Sequence, residues 1–424
     1  MIAIINPGRF SGSVKAPASK SMMQRSLAAA LLHQGTTTIH NPGYSADDLV
    51  ALQIIQQLGA EVLHRGADLL KIQSNGVSPV EKEINCGESG LSARLFTPIA
   101  ALSSQSIFIS GRGSLLSRPM EEFGNTMTQL NVRLAEFNGR LPFHIQGPIQ
   151  PANILVNGSV SSQYLSGLLL ALSSAAEHPV TIEVSGLKSK PYIDMTLQVL
   201  AYFGWHVTNN NYKTFTIDPA NFELKAHVDI RIEGDWSNAA FWLTAGAING
   251  DVLISGLDLN SRQADRALLR VFEAIGAKAI HTVQGVEVTT KRIFPFEFDA
   301  THCPDLFPVL AILAAFCQGE SFIKGLHRLF YKESNRVESI AEMLEQFEIP
   351  FSMEDDMLSV MGVQQLAGAT IDGYNDHRIV MAAAIAATRA EAPVVIEGVE
   401  AVNKSYPDFF TDLVSLGIDC TLCS

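Results

Sequence analysis

The chain has 424 residues, of which 47% are hydrophobic and 17% are charged, and its formal net charge is −13. Because this length exceeds one ordinary core, we expect two domains of about 200 residues each. The acidic charge argues against a nucleic-acid partner, which would be bound by a basic surface. No apolar run reaches the ~20 residues that span a bilayer, and the N-terminus lacks a signal-peptide pattern. We therefore expect a cytoplasmic protein with no membrane partner.

The five cysteines do not indicate a disulfide framework, because their number is odd and they are spread from Cys86 to Cys423. Cys420 and Cys423 form a single C-x-x-C pair near the C-terminus. A structural zinc site would require a second pair of ligands. We interpret all five as reduced thiols and expect neither a metal nor a cofactor.

One module recurs six times along the chain. Each copy begins with small or polar capping residues and continues as a helix that is apolar nearly all round, which is typical of a helix buried on every side. These helices are predicted at residues 20–32, 90–102, 161–172, 235–248, 304–317 and 376–388. A short β-branched strand follows each of them and runs into glycine or proline, as in VTIEVSG and DVLISG.

A second, amphipathic helix closes each module and ends at a glycine or a glycine-like stop. The stops are Gly59, Asn131, Gly204, Gly276, Glu348 and Gly417, at intervals of 72, 73, 72, 72 and 69 residues. Six such modules predict an α/β protein of two similar domains. Each domain would hold three modules, with the apolar helices inside and sheets around them, as in an inside-out α/β barrel.

The chain is predicted to cross between domains near residues 16–19 and 229–233. The first domain would then comprise residues 1–17 and 230–424, and the second residues 18–229. An ordinary doubly wound sheet is the alternative fold. The absence of a G-x-G-x-x-G or Walker A run from the sequence weakens that alternative.

The residues with chemical character cluster where the inner helices begin. Lys20, Ser21 and Arg25 open the first inner helix, the run SSQ opens the third, and the run NDHR opens the last. A helix N-terminus offers unpaired N–H groups and a partial positive charge, so it favours anions. Simple helix capping by Ser, Asn and Asp is the alternative interpretation. The added Lys, Arg and His favour anion binding.

With these motifs the chain resembles the 5-enolpyruvylshikimate-3-phosphate synthase family of enolpyruvyl transferases along its whole length. The matching motifs are PASKSMMQR, SGLSAR, SRP at 117–119, SSQYL, SKPYIDMT, YKESNR and NDHR, with Lys404 closing the series. The resemblance implies transfer of the enolpyruvyl group of phosphoenolpyruvate to the 5-hydroxyl of shikimate 3-phosphate, with release of phosphate. This step belongs to chorismate and aromatic amino acid biosynthesis. We also expect a monomer.

The resemblance further implies two sets of binding residues in a cleft between the domains. Shikimate 3-phosphate would be bound, with Tyr192 nearby, by Lys20, Ser21, Arg25, Ser161, Ser162, Gln163, Ser189, Asp305 and Lys332. Phosphoenolpyruvate would be bound by Lys20, Gly90, Arg118, Gln163, Arg336, His377, Arg378 and Lys404. Hydroxyls and an amide suit a polyol phosphate, and bidentate arginines suit a ligand with both phosphate and carboxylate groups.

The mechanism implied by the family is addition followed by elimination through a tetrahedral intermediate. Asp305 would take the proton from the 5-hydroxyl, and Glu333 would exchange a proton with the methylene carbon. Lys20 is a second candidate for the latter role. The alternatives are that Asp305 only caps a helix and that Glu333 only forms a surface ion pair.

The chain departs from the family pattern at several positions. Glu88 and Leu91 replace small or polar residues before the second arginine motif, and Leu95 lies in the same helix. Phe330 stands where the family has a basic residue, with Arg328 close by. These changes bear on substrate affinity and on sensitivity to glyphosate.

Three other functions are compatible with parts of the pattern. The related transferase acting on a UDP-amino sugar usually has Lys-Asn in place of Lys20-Ser21 and a cysteine in the loop equivalent to 111–119, where this chain has none. RNA 3′-phosphate cyclase would require a basic face, and a non-enzymatic binding protein would not need Asp305 and Glu333. Phosphate release from phosphoenolpyruvate with each acceptor separates these possibilities.

Overall fold

The computed structural model describes residues 1–159, 161–290 and 292–423. The chain divides into a first unit, Met1–Pro17 with Gly234–Ser424, and a second unit, Ala18–Glu233. The predicted boundary at residue 230 falls inside the strand His227–Arg231. That strand belongs to the second unit because it pairs in parallel with Gly35–His40.

Each unit contains three inner helices whose side chains are nearly all buried, as predicted from their apolar sequences. The six inner helices of the described chain are Lys20–Leu32, Gly90–Ala100, Ser162–Ala175, Trp236–Asn249, Phe307–Ala315 and His377–Ala387. Ser161, Asp235 and Asp376 lie just outside their helices as N-caps, because their extended backbones let their side chains accept from helical N–H groups. The predicted helix 304–317 begins as a 3₁₀ turn at Pro304–Leu306.

The three inner helices of each unit contact one another. In the second unit, Gly167 faces the backbone of the Gly90–Ala100 helix. A Cβ atom added at Gly167 would lie 2.7 Å from the carbonyl oxygen of Leu95 and 2.8 Å from that of Arg94. A larger residue would push these two helices apart, so glycine is required for their close packing.

Around the inner helices, the described strands form six sheets of four strands with one shared topology. In each, one edge pair is parallel and the other two pairs are antiparallel. The second unit has sheets His227–Arg231, Gly35–His40, Leu69–Ser74, Glu61–Arg65; Glu83–Asn85, Ser106–Ser110, Phe143–Gln146, Arg133–Ala135; and Ile154–Asn157, Val180–Ser185, Thr214–Ile217, Val207–Asn210. The first unit has sheets Thr370–Asp372, Val394–Glu397, Ile2–Ile5, Cys420–Cys423; Phe10–Lys15, Gly250–Ser255, Gly285–Thr289, Lys278–Thr282; and Glu297–Asp299, Glu320–Lys324, Met357–Met361, Phe351–Glu354.

The outer, amphipathic helix of each module ends where the repeat predicts. These helices are Ala46–Gln57, Glu122–Gln129, Lys190–Tyr202, Leu268–Ala274, Arg336–Gln346 and Phe409–Ser415. All six predicted stop residues have a left-handed backbone, with φ between 56° at Glu348 and 109° at Gly59. A left-handed residue ends a helix by turning the chain away. The two stops that are not glycine, Asn131 and Glu348, adopt the same conformation as the other four.

Short 3₁₀ helices complete the described structure, at Gly113–Ser117, Pro219–Asn221, Ala264–Ala267, Leu326–Arg328 and Val399–Lys404. Within the described ranges, none of the helices has both the length and the apolar character that crossing a membrane requires. The same residues contain no group of three or more His, Cys, Asp or Glu side chains arranged to hold a metal ion.

Candidate active site

In the first unit, one carboxylate is surrounded by three cations. Asp305 lies in the 3₁₀ turn that opens the Phe307–Ala315 helix. Its Oδ1 atom accepts from Lys332 Nζ at 3.0 Å and from Arg336 Nη1 at 2.9 Å, and its Oδ2 atom accepts from Arg378 Nη2 at 3.1 Å. Glu333 joins this group through a 2.7 Å contact with Arg336 Nη2. We call these five residues the acid–cation cluster.

Arg336 is held in the cluster by a second, fully buried carboxylate. Its Nε and Nη2 atoms donate to Asp376 at 2.7 and 3.1 Å, and both side chains have 0% exposure. Asp376 also caps the last inner helix by accepting from the backbone N–H of Arg378. One aspartate therefore fixes the guanidinium of Arg336 and the start of the helix that carries Arg378.

The charged side chains of the cluster alter one another's pKa values. Burial alone would raise the pKa of Asp305, but Arg378, Lys332 and Arg336 together hold it well below its usual range. Burial lowers the pKa of Lys332, although Asp305 opposes this effect. Burial would also lower the pKa of Arg336, but Asp376, Glu333 and Asp305 raise it above its ordinary value. Asp305 is therefore ionised at neutral pH among cationic neighbours.

The last inner helix and the segment before it contribute three further predicted residues. His377 and Arg378 are buried in the first turn of the helix. The Nζ atom of Lys404 donates to the carbonyl oxygen of Asn375 at 2.5 Å. Asn375 has a left-handed backbone with φ of 50°, so the chain turns sharply before the helix start. Lys404 thus lies next to the helix N-terminus, where cationic side chains and the positive end of the helix dipole favour an anion.

Asp265 is a buried acid that the sequence reasoning missed. It lies in the short helix Ala264–Ala267 with 0% exposure. Burial, reinforced by the charge of Asp305 and opposed by Arg378, raises the pKa of Asp265 to about 7. Its position after the DVLISG strand, in the polar run SRQAD, is the only signal in the sequence. A carboxyl group that titrates near neutrality beside a proposed base is a candidate for proton handling.

In the second unit, Lys20 forms an ion pair with an acidic residue of the neighbouring outer helix. Its Nζ atom lies 3.0 Å from Asp47 Oδ2, and both side chains are largely buried. The adjacent Asp48 accepts from the backbone and hydroxyl of Ser45 in a capping box. Burial raises the pKa of Asp48 to about 7 against the effects of Ser45 and Lys20. Sequence reasoning missed both aspartates, because they resemble ordinary residues of a helix start.

Arg25 is held by hydroxyl groups from two other helices. Its Nε atom donates to Thr196 Oγ1 at 2.9 Å, and its Nη2 atom donates to Ser166 Oγ at 3.4 Å. Its Nη1 atom donates to the carbonyl oxygen of Ser21 at 2.8 Å, and its guanidinium lies over the ring of Tyr192. Burial lowers the pKa of Arg25 to about 10, so the group remains charged at neutral pH.

Gly90 opens the second inner helix beside two guanidinium groups. A Cβ atom added at Gly90 would lie 2.7 Å from Nη1 of Arg118 and 3.2 Å from Nη1 of Arg94. Arg94 also donates to Gln163 Oε1 at 3.4 Å and contacts Glu122 at 3.1 Å. The absent side chain at Gly90 thus leaves room for two cations at the helix start, and Gln163 lies within reach of one of them.

Two predicted serine sites also lie at helix starts of the second unit. Ser161 caps the third inner helix by accepting from the backbone N–H of Gln163 at 3.2 Å, and Ser162 is its first residue. Ser189 precedes the Lys190–Tyr202 helix with a left-handed φ of 52°. The predicted residues of the second unit are therefore hydroxyls, an amide and cations at helix N-termini.

The residues that depart from the family pattern lie near these positions. An added Cβ atom at Gly113 would meet the carboxyl carbon of Glu88 at 2.7 Å, so Glu88 lies against the 111–119 loop that carries Arg118. Leu91 and Leu95 are buried in the second inner helix. In the first unit, Arg328 is half-buried and Phe330 is exposed.

Each unit has three modules, with cations near the inner-helix starts, and in the first unit a carboxylate is held among cations. These features define an inside-out α/β protein whose polar sites suit anionic ligands. The sequence profile of EPSP synthase (3-phosphoshikimate 1-carboxyvinyltransferase) matches residues 4–413. The chain belongs to this family. It transfers the enolpyruvyl group of phosphoenolpyruvate to shikimate 3-phosphate in aromatic biosynthesis.

Relatives of the same activity and similar solved structures agree with this assignment. The chain is 33% identical to 3-phosphoshikimate 1-carboxyvinyltransferase of Clostridium novyi, over 97% of each chain. It is 35% identical to that of Clostridium kluyveri, over 97% of this chain and 96% of the relative. The EPSP synthase structure of Acinetobacter baumannii shares the fold, with a TM-score of 0.81, 24% identity, and coverage of 99% of this chain and 100% of that one. The enolpyruvyl transferase NikO of Streptomyces tendae also shares it, with a TM-score of 0.79, 19% identity, and coverage of 99% and 98%.

Proposed function

We propose that the acid–cation cluster performs the proton transfers of enolpyruvyl transfer, with Asp305 as the base for the 5-hydroxyl of shikimate 3-phosphate. The observation that carries the proposal is that Lys332, Arg336 and Arg378 all contact the Asp305 carboxylate. A base must be ionised before it accepts a proton, and three cations maintain that form. A simple helix cap would not need them.

The cations also explain how the base becomes stronger when the substrates are present. In the free chain they lower the pKa of Asp305 against the effect of burial, which makes it a weak proton acceptor. Bound phosphate and carboxylate groups would share these cations and offset their charge. The pKa of Asp305 would then rise toward the range in which a general base is effective.

The proton balance needs a second group at the methylene carbon. As the 5-oxygen bonds to C2 of phosphoenolpyruvate, C3 takes a proton from Glu333 or Lys20 and the tetrahedral intermediate forms. In the second half, C3 returns a proton to the same group, the double bond reforms, and phosphate leaves with the proton that Asp305 took from the 5-hydroxyl. Glu333 is our first candidate because its 2.7 Å contact with Arg336 fixes its position in the cluster.

We assign the remaining predicted residues to the two substrates. Shikimate 3-phosphate is assigned to Lys20, Ser21, Arg25, Ser161, Ser162, Gln163, Ser189, Asp305 and Lys332. Phosphoenolpyruvate is assigned to Lys20, Gly90, Arg118, Gln163, Arg336, His377, Arg378 and Lys404. The support is chemical, because buried guanidinium groups and helix N-termini suit phosphate and carboxylate.

We further propose that the chain works in the cytoplasm as a monomer that needs no metal or cofactor. All five cysteines are free thiols, which fits a reducing compartment. Size-exclusion chromatography should give a mass near 45.9 kDa. Turnover that persists in EDTA would support the metal-free reaction, and its loss would contradict it.

The reaction is tested by phosphate release from phosphoenolpyruvate with shikimate 3-phosphate, with a UDP-amino sugar, or with no acceptor. Release is expected with the first acceptor alone. The role of Asp305 is tested by Asp305→Asn, for which we expect kcat to fall by about 10²–10⁴-fold while shikimate 3-phosphate still binds. Asp299→Asn is the matched control, since Asp299 is an exposed aspartate of the neighbouring strand. Turnover of the Asp305→Asn variant equal to that of the control would contradict the proposal.

A further inference from the structure

A separate cavity of about 460 Å³ lies in the first unit at the tip of the hairpin formed by Phe351–Glu354 and Met357–Met361. Its apolar wall is formed by Leu326, Phe330, Val337 and Met353. The described residues that line it include none of those assigned above to the substrates. Its volume is in the range of pockets that bind small molecules.

The apolar wall includes an aromatic ring that solvent can reach. Phe330 is 49% exposed, and the following Tyr331 is 64% exposed. Large aromatic side chains are usually buried more fully, so an exposed phenylalanine ring in the wall of a cavity is unusual. The face of an aromatic ring attracts a cation as well as an apolar group.

The lining of the cavity also includes three consecutive acidic residues, together with His327. Glu354, Asp355 and Asp356 occupy the hairpin tip, and both aspartates have a left-handed backbone, with φ of 48° and 66°. This turn therefore brings three acidic residues into the lining of a mainly apolar cavity. Because Asp356 is paired with His327, Glu354 and Asp355 supply the negative charge that disfavours anions and favours a positively charged group.

The hairpin tip is fixed to the segment that contributes the apolar wall. Asp356 accepts from the backbone N–H of His327 at 2.7 Å and contacts its Nδ1 atom at 2.8 Å. The backbone N–H groups of Gly325 and Leu326 donate to the Asp356 carbonyl oxygen at 2.8 and 3.2 Å. The acidic and apolar sides of the cavity are therefore held together, so little ordering is required when a ligand binds.

From this combination we infer that the cavity binds a small organic ammonium ion with an aromatic or branched apolar body. The body occupies the space between Phe330, Met353 and Val337, and the ammonium group lies at the acidic rim near Glu354 and Asp355. A neutral apolar molecule would gain nothing from the carboxylates, and an organic anion would be repelled by them.

The inference is tested by calorimetric titration of the full chain with phenethylamine as the probe. The expected dissociation constant is on the order of 1 mM, as suits a ligand of this size. The neutral 2-phenylethanol and the anionic 3-phenylpropanoate have similar apolar bodies and should bind more weakly. Raising the salt concentration should weaken binding of the amine alone. Equal binding of amine and alcohol, or no saturable binding of the amine, would overturn the inference.

Variants of exposed residues locate the site. The double change Glu354→Gln with Asp355→Asn should weaken phenethylamine binding about three- to tenfold, because two carboxylates are lost. Phe330→Ala should also weaken it. Glu345→Gln is the matched control, since Glu345 is an exposed acid of the Arg336–Gln346 helix that does not line the cavity. Native affinity in both rim and Phe330 variants would place the amine elsewhere and refute the assignment.

Discussion

Replacing Asp265 by asparagine is expected to stabilise the chain at alkaline pH and to change its stability little at acidic pH. Asp265 is fully buried, and burial together with the charge of Asp305 raises its pKa from 3.8 to about 7. The ionised form is therefore disfavoured in the folded chain relative to the unfolded chain. Asparagine is nearly isosteric with the neutral acid and carries no proton to lose.

The sign and size of the effect follow from proton linkage. Between pH 4 and pH 7 the folded chain keeps a proton on Asp265 that the unfolded chain has released, so the free energy of unfolding falls as pH rises. The fall is complete once pH exceeds the folded pKa. A difference of about three pKa units corresponds to about 4 kcal/mol as an order of magnitude. In the Asp265→Asn variant this fall in the free energy of unfolding does not occur, because asparagine does not ionise.

Thermal unfolding followed by circular dichroism at several values between pH 5 and pH 8 measures the effect. For a unit of about 200 residues, the gain in Tm over the native chain should grow to the order of 10 °C at pH 8. Asp251→Asn is the control, since Asp251 is exposed and its ion pair is with the exposed residue Arg9. A Tm difference for Asp265→Asn that stays constant with pH would refute the reasoning.

Three further changes test the acid–cation cluster and the thiols. Glu333→Gln should lower kcat by about 10²–10⁴-fold with nearly unchanged substrate binding, because an amide cannot exchange the proton; near-normal turnover would remove Glu333 from the mechanism. Lys332→Gln should move the acid limb of the kcat/KM profile to higher pH, because one of three cations around Asp305 is lost, whereas the exposed Lys324→Gln should keep the native profile. Identical limbs in the two variants would argue against Asp305 as the base. Cys86→Ser should keep most activity, and an epoxide analogue of phosphoenolpyruvate should leave the native chain active, because burial raises the pKa of Cys86 to about 12. Inactivation that this substitution abolishes would place a thiol in the site.

The architecture could be predicted from the sequence because its inner helices differ from ordinary amphipathic ones. All nine residues of Phe307–Ala315 and all eleven of His377–Ala387 are buried, and apart from His377 and Arg378 at the start of the second helix both sequences are apolar all round. The helix stops recur because each outer helix ends at a residue with a left-handed backbone, a conformation that glycine adopts with the least strain. At Glu348 the left-handed conformation is kept without glycine, and only the spacing of the repeat identifies it.

The contacts within the candidate site could not be predicted in the same way. Arg336 and Asp376 are 40 residues apart, and their pairing depends on how two helices of one unit approach each other. The pairing of Lys20 with Asp47 also depends on how two helices of one unit approach each other. In the sequence, Asp47 resembles any acidic residue in the first turn of a helix. Motif resemblance predicts which residues would contact a substrate. It does not identify those, such as Asp265, whose importance arises from burial.

The pairing of the first strand has a consequence for the order in which the chain folds during synthesis. Ile2–Ile5 lies between Val394–Glu397 and Cys420–Cys423, so its sheet cannot close until nearly the whole chain has left the ribosome. The second unit needs nothing beyond residue 233, because its last strand pairs with Gly35–His40 and the N–H of Ser19 donates to the carbonyl oxygen of Glu233 at 2.8 Å. The second unit can therefore fold as soon as it is made. Ile2–Ile5 must therefore wait, as an unpaired strand, for two strands that are translated much later.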